Sequence, residues 1–413
     1  MLKPYRVLDL STERGLLCAQ CLGDMGADVV KIEPPGGCDA RKIAPFYNDD
    51  PHPDRSLYWW AYNRNKRSTT LNLDCQEGQV ILRQLVRRAD FLIESFNPGH
   101  LANRRLGFTD LSTVNPALIY VSITGFGQNG PKASYADSDL VIMAAGGPLI
   151  LGGDADRAPV RLSVPQAYLH ASADAAVAAL AALHERCRSG LGQHIDVAAV
   201  QSVALATQSY ILAEPLGSPE ARRMSGGMKI GPLEIPFVWP AKDGFVVLAF
   251  LFGSAIGVFT RRFMHYLHEQ GFCDEATGNK DWIKYGEMLS SGAEPLSEFE
   301  RIKEIVRNFT RKHTKAHLLE LAVERGFLMT PVATIDEVVN SQQLTARDYF
   351  QRVEHPELNA SFRYPGPFVK FSAAPIQYRY RPPTVGEHNQ EIYCGELGMS
   401  NHELTKLSQN GIV

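Results

Sequence analysis

The chain of 413 residues carries 42 Lys and Arg against 45 Asp and Glu, a formal net charge of −3, with 45% hydrophobic and 21% charged residues. That length supplies two or three domains and a large core, and the balance is that of a soluble globular protein, not of a nucleic-acid binder with a basic excess. No run of 18 apolar residues reads as a membrane span, no apolar leader core follows the N-terminus, and seven scattered cysteines suit a reducing cytoplasm better than a disulfide framework.

In chain order, Tyr5–Leu10 predicts a strand, Gly15–Met25 a helix, Gly26-Ala27 a turn and Asp28–Ile32 a second strand. Cys18-x-x-Cys21 falls on that first helix with no second Cys/His pair at zinc spacing, so both are expected to pack. A helix over Glu77–Arg88 and strands over Asp90–Glu94 and Leu118–Ile123 continue the rhythm, followed by a small-residue helix over Ser172–Arg186 and a strand over His194–Val197. Alternation of this kind argues for an α/β fold with a parallel sheet. Glu214–Pro219 reads as a linker, and Phe237–Trp239 and Gly244–Phe250 as antiparallel strands about the turn at Ala241–Gly244. Helices are expected up to Arg325. Leu328–Ile335 and Ile335–Val339 read as a return to strand-helix order, before a proline-rich tail expected to run extended. The resulting division is 1–214, 215–327 and 328–413.

The segment Ala158–Val197 carries the most specific pattern: Pro165-Gln166-Ala167-Tyr168, the small-residue helix, then Arg186 and Ser189-Gly190-Leu191-Gly192-Gln193. Further blocks are Gly26-Ala27-Asp28-Val29-Val30-Lys31-Ile32-Glu33-Pro34-Pro35, Asn63-Arg64-Asn65-Lys66-Arg67-Ser68, Glu94-Ser95-Phe96-Asn97-Pro98-Gly99, Thr124-Gly125-Phe126-Gly127-Gln128-Asn129-Gly130-Pro131, and Gly386-Glu387-His388. In this order, the blocks resemble the class III CoA-transferases, also called the CaiB/BaiF family. The resemblance implies a Rossmann-like large domain from the N-terminal half and the C-terminal tail, an inserted small α+β domain, and an interlocked dimer. It implies acyl-CoA and carboxylic acids as substrates, and no permanently bound cofactor or metal.

In that family an Asp follows the Pro-x-Ala frame and acts as nucleophile. A carboxylate can attack a thioester, form a mixed anhydride and capture CoA as an enzyme thioester. Here the position is Tyr168, whose phenol is neutral at pH 7 and cannot form the anhydride. Racemases of the superfamily use a Gly-His-Asp site that corresponds to Asp137-Ser138-Asp139, without the His. The resemblance therefore implies a subunit lacking its own nucleophile, paired with an Asp-bearing homologue, as in exchange of CoA between succinate and benzylsuccinate. Two alternatives stand beside it: a complete homodimeric transferase using Asp154 or Asp156, and a non-catalytic acyl-CoA-binding protein. Arg14, Arg41, Lys66, Arg67, Asn97, Arg104 and Arg105 are expected in loops bordering CoA, where cations bond phosphate oxygens. Glu13 would repel a phosphate. Ser225-Gly226-Gly227 resembles the family's glycine loop, whose N–H groups can stabilise an oxyanion.

Overall fold

Six short strands, nearly all buried, build the central sheet: β1 (Arg6–Asp9), β2 (Asp28–Glu33), β3 (Lys66–Thr70), β4 (Phe91–Glu94), β5 (Ile119–Thr124) and β6 (His194–Ala198). Every neighbouring pair is parallel, and the order is β3-β2-β1-β4-β5-β6. The computed structural model describes residues 1–217, 223–230 and 233–413. This strand order is that of a doubly wound Rossmann-like sheet, which reverses direction between β1 and β4 and leaves a crevice beyond their carboxyl ends.

The chain forms two compact units. The larger comprises Met1–Pro148, Leu162–Ser209 and Thr345–Val413. On one face of its sheet lie α1 (Leu16–Asp24) and a 23-residue helix, Ala167–Ser189. That helix buries Ala171, Ala175 and Ala179, spaced to face one side, in the core that holds Cys18, Ala19 and Leu22 of α1. Cys18 is thus a packing residue. Small side chains let the two helices and the sheet approach closely. A second apolar cluster joins Leu8, Val30, Leu92 and Tyr120 to Leu82 and Leu85 of a helix at Gln76–Val86.

The helix at Ala167–Ser189 starts five residues before the sequence pattern suggests, so Tyr168 sits in its first turn and not in the preceding loop. Its signal was hidden because no Ser, Thr, Asp or Asn precedes it. The cap comes from afar, with Asp139 Oδ1 accepting from the Gln166 and Ala167 amides. Three further departures concern the polar or C-terminal segments. Lys66–Thr70 is a fully buried strand, although Lys-Arg-Ser-Thr-Thr carries no apolar pattern. The proline-rich tail is not simply extended: Phe350–His355 pairs antiparallel with Ala360–Pro365, and a helix with a full capping box runs over Asn401–Gln409. Met329–Pro331 does not return to the large sheet; it pairs with Gly244–Leu248.

The second unit comprises Leu149–Arg161 and Tyr210–Leu344. It thus takes in a loop from the N-terminal half and extends past residue 327, the expected boundary. A three-stranded sheet of Val238–Ala241, Gly244–Leu248 and Met329–Pro331 is covered by helices that include Leu296–Lys312, around a core of Trp239, Phe250, Trp282 and Phe299. Among the described residues no helix is long and apolar enough to cross a membrane.

Candidate functional site

The loop after β1, Leu10–Gly15, and the loop after β4, Ser95–Gly99, meet at the sheet's reversal point. Thr12 N donates to Ser95 Oγ at 2.8 Å, and Arg14 Nη1 donates to Asn97 Oδ1 at 3.1 Å. In the larger unit a cavity of about 570 Å³ is lined by Glu13, Arg14, Tyr58, Tyr62, Asp137 and Tyr168, with mostly apolar walls otherwise. Such a pocket at a topological switch point is the expected ligand site of this architecture.

Tyr168 is half-buried, and its buried Oη has no well-formed hydrogen bond among the described residues. Arg14 lies with its guanidinium carbon 5.7 Å from the Tyr168 ring centre and its Nη2 2.9 Å from Asp137 Oδ1. Burial, then the neighbouring Asp137 carboxylate, push the Tyr168 phenol far above its ordinary value. It is neutral at any physiological pH. The pairing with Arg14 occupies Asp137, and the two amides at the head of the helix occupy Asp139. A side chain at Gly125 would put its Cβ 2.4 Å from Asp137 Oδ2, so glycine is required where Asp137 packs over the end of β5. Glu13 lines the same cavity without an ion-pair partner among the described residues.

The cations expected to border a nucleotide separate into two groups. Lys66 and Arg67 lie on β3, not in a loop. Lys66 is wholly buried and its ammonium donates to Asp9 Oδ2 (2.8 Å), Leu16 O (2.9 Å) and Asn63 Oδ1 (3.0 Å), which uses all three donors. Arg67 bonds both oxygens of Asp28 and also Glu391 and Glu396 of the C-terminal segment. Arg41 forks onto Glu33 at 2.7 and 2.8 Å, bonds Asp54 at 2.7 Å and lies 3.7 Å over Trp59. The donors of these three face protein acceptors, where the sequence led one to expect phosphate. Arg104 makes a more exposed pair with Asp74, and Arg105 is exposed in a left-handed conformation.

The remaining expectations fall in the second unit. Asp154 accepts from the Ser225 amide at 2.9 Å and lies 3.6 Å from Arg157; Asp156 is exposed and pairs with the same arginine. Gly226 and Gly227 are not a free loop. Gly226 O accepts from the Phe237 and Val238 amides, and Gly227 opens a strand paired with Leu233–Pro236. A Cβ at Gly226 would come within 2.8 Å of Val238, and its φ of +62° also favours glycine.

The description of this chain's pattern as CoA-transferase family III matches residues 2–389. The chain belongs to CoA-transferase family III. It is 32% identical over 412 residues to the succinyl-CoA:(R)-benzylsuccinate CoA-transferase subunit BbsE of Thauera aromatica, covering 99% of this chain and 97% of that protein. It is 30% identical to the succinyl-CoA–D-citramalate CoA-transferase of Chloroflexus aurantiacus, covering 100% and 98%. The crystal structure of a CaiB/BaiF family protein from Brucella suis superposes with a TM-score of 0.79 at 27% identity, covering 95% of this chain and 98% of that one.

This family III chain also holds a polar cavity that the sequence did not reveal. In sheet register, Glu94, Ser122 and Asp196 form a row across β4, β5 and β6. Ser122 Oγ lies 2.9 Å from His194 Nε2, and a cavity of about 260 Å³ opens over Glu94, Ser122 and His194. Burial pushes the Glu94 carboxyl up to about 7, against bonds from Ser122 and the Phe96 amide that favour its charged form. The one signal in the sequence is a Glu ending the apolar run Phe91-Leu92-Ile93-Glu94.

Proposed function

We propose that this chain is the nucleophile-free subunit of a class III CoA-transferase that works with an Asp-bearing homologous subunit in the cytoplasm. The reaction class is movement of CoA between carboxylic acids, with succinyl-CoA as donor and an acid of the benzylsuccinate kind as acceptor. The observation that carries the reading is Tyr168. It occupies the position of the family's nucleophile, in the first turn of its helix and in the wall of the main cavity, yet it is a neutral phenol braced by Arg14. A phenol there cannot accept an acyl group as a mixed anhydride. The similarity to a protein named as a transferase subunit supports a heteromeric setting.

The cavity's remaining charge supports the same reading. Among the described residues Arg14 is the one cation lining it and is already paired, so a dicarboxylate would enter beside Glu13 and Asp137 without a free counter-ion from them. The partner's cavity then hosts turnover, and this chain contributes scaffold and interface. Exposed apolar side chains on the larger unit, including Val177 and Leu205, are consistent with a further covering chain in an interlocked dimer. CoA is substrate, not resident cofactor. Of the expected cations, Arg105 is exposed to its phosphates, whereas Arg104 is bonded to Asp74 and the His100 carbonyl.

A second reading is a complete homodimeric enzyme. Glu13 favours it more than Asp154 or Asp156, because it is a carboxylate in the main cavity with no ion pair. Its attack on the thioester carbonyl would expel CoA thiolate and leave a mixed anhydride, which the thiolate would reopen to an enzyme thioester. The two readings separate on incubation of the purified chain with succinyl-CoA and hydroxylamine, followed by peptide mapping. The subunit reading expects no modified carboxylate; modification of Glu13 supports the homodimer.

A further inference from the structure

Below the loop that carries Glu13 and Arg14 lies a triad of fully buried charges from three adjacent strands: Asp9 of β1, Lys31 of β2 and Lys66 of β3. None is more than 1% exposed at the side chain. Taking charges out of water costs several kcal/mol each unless pairing and hydrogen bonds return it, and apolar residues would fill the same space more cheaply. One carboxylate faces two ammoniums, so the group is not even neutral.

Its bonds converge on one short segment. Asp9 Oδ1 accepts from the Ser11 amide at 2.9 Å and from Ser11 Oγ. Lys31 Nζ donates to the Ser11 carbonyl, and Lys66 Nζ to the Leu16 carbonyl at 2.9 Å. The triad therefore grips both ends of the segment. Between them Thr12 N is held by Ser95, Glu13 O by Tyr58 Oη at 3.2 Å, and Arg14 O by Ser172 Oγ at 3.1 Å. These contacts hold the middle of the loop; where the loop leaves the sheet, the triad acts beside the backbone bond from Leu10 N to Ile93 O at 2.8 Å.

We propose that Asp9, Lys31 and Lys66 are positioning residues that set the Ser11–Leu16 loop, and through it the place of Glu13 and Arg14 in the cavity wall. The inference rests on geometry alone and stands apart from the proposed function, in which the partner's cavity hosts turnover. Burial disfavours the charged Lys66, while Asp9 opposes that shift and Lys31 adds to it; the cluster's surplus charge is thus held at a cost.

The test is Lys31→Met in the full chain, alone and co-expressed with the Asp-bearing homologue. The substitution leaves a neutral Asp9–Lys66 pair, so the melting temperature should hold or rise. Amide exchange at residues 11–15 should speed up about tenfold while β1 and β2 stay protected. Lys31→Arg, which keeps a donor for the Ser11 carbonyl, should restore slow exchange in the loop. Lys66→Met, which frees the Leu16 end, should reproduce the exchange change and serves if the first variant does not fold. Unchanged exchange in the loop, or exchange speeded equally in β1 and β2, overturns the proposal. If the wild-type complex transfers no CoA, the functional reading has failed, and the exchange data alone decide the positioning role.

Discussion

Arg14 stands over the ring of Tyr168, 5.7 Å from its centre, and reaches Asp137 at 2.9 Å, so an arginine and its carboxylate partner flank the phenol. Among the described residues Tyr168 Oη makes no well-formed hydrogen bond, with the Asp137 carboxylate as its polar neighbour. Tyr168→Phe should therefore leave the melting temperature equal or higher, because it removes a buried hydroxyl without a well-formed hydrogen bond. Transfer by the co-expressed complex should stay within about twofold of wild type. A loss of about tenfold or more in kcat would assign the hydroxyl a part in the chemistry.

Asp139 accepts both amides at the head of the 23-residue helix that carries Tyr168. Replacing it with Ala removes the cap and should cost about 1–2 kcal/mol in chemical denaturation. Asn, which keeps an acceptor oxygen, should recover about half of that loss. Equal stability of wild type and Asp139→Ala would show that the helix end is satisfied by other means.

Arg67 ties Asp28 on β2 to Glu391 and Glu396 in the C-terminal segment. Arg67→Ala leaves Arg6 as the remaining cation against Asp28, Glu391 and Glu396, two of them substantially solvated, so a loss of about 1–2 kcal/mol is expected, and not a selective loss of CoA affinity. Urea unfolding and titration with CoA, run on the same preparation, separate the two outcomes. Weakened CoA binding with unchanged stability would return Arg67 to the ligand site.

Glu94 gives the fold a pH dependence of unusual sign. Its carboxyl is raised to about 7 in the folded chain, against an ordinary value of 4.5, so the native state holds a proton that the unfolded state has released. Stability from this group is full below the unfolded value, declines as pH rises from about 4.5 to about 7, and levels off above. The total is on the order of 3 kcal/mol as an upper bound. Glu94→Gln should flatten the stability profile across that window relative to wild type. Parallel profiles for the two proteins would show that Glu94 ionises normally.

Much of this fold was legible because buried parallel strands leave apolar runs. Phe91-Leu92-Ile93 and Val29-Val30 announce β4 and β2 directly. The alanine spacing did the same for the helix after Tyr168. β3 was illegible because its Lys66, Arg67 and Ser68 are satisfied by Asp9, Asp28 and Glu33, partners 35 to 57 positions away that no local pattern discloses. The same long-range pairing turned two expected phosphate contacts into scaffold. That Tyr168 follows Pro165-Gln166-Ala167 could be read at once, since it is a matter of residue identity. The brace of Arg14 and Asp137 around it could not, since those residues meet only across the reversal of the sheet.

The most direct test compares the purified chain with the same chain co-expressed with an Asp-bearing homologue, each assayed for CoA transfer from succinyl-CoA. The account predicts no transfer and no hydroxylamine-trapped carboxylate for the chain alone, and transfer by the complex that vanishes when the partner's Asp is removed. Full transfer by a homodimer of this chain, with an acylated Glu13, Asp154 or Asp156 in its peptide map, would contradict it.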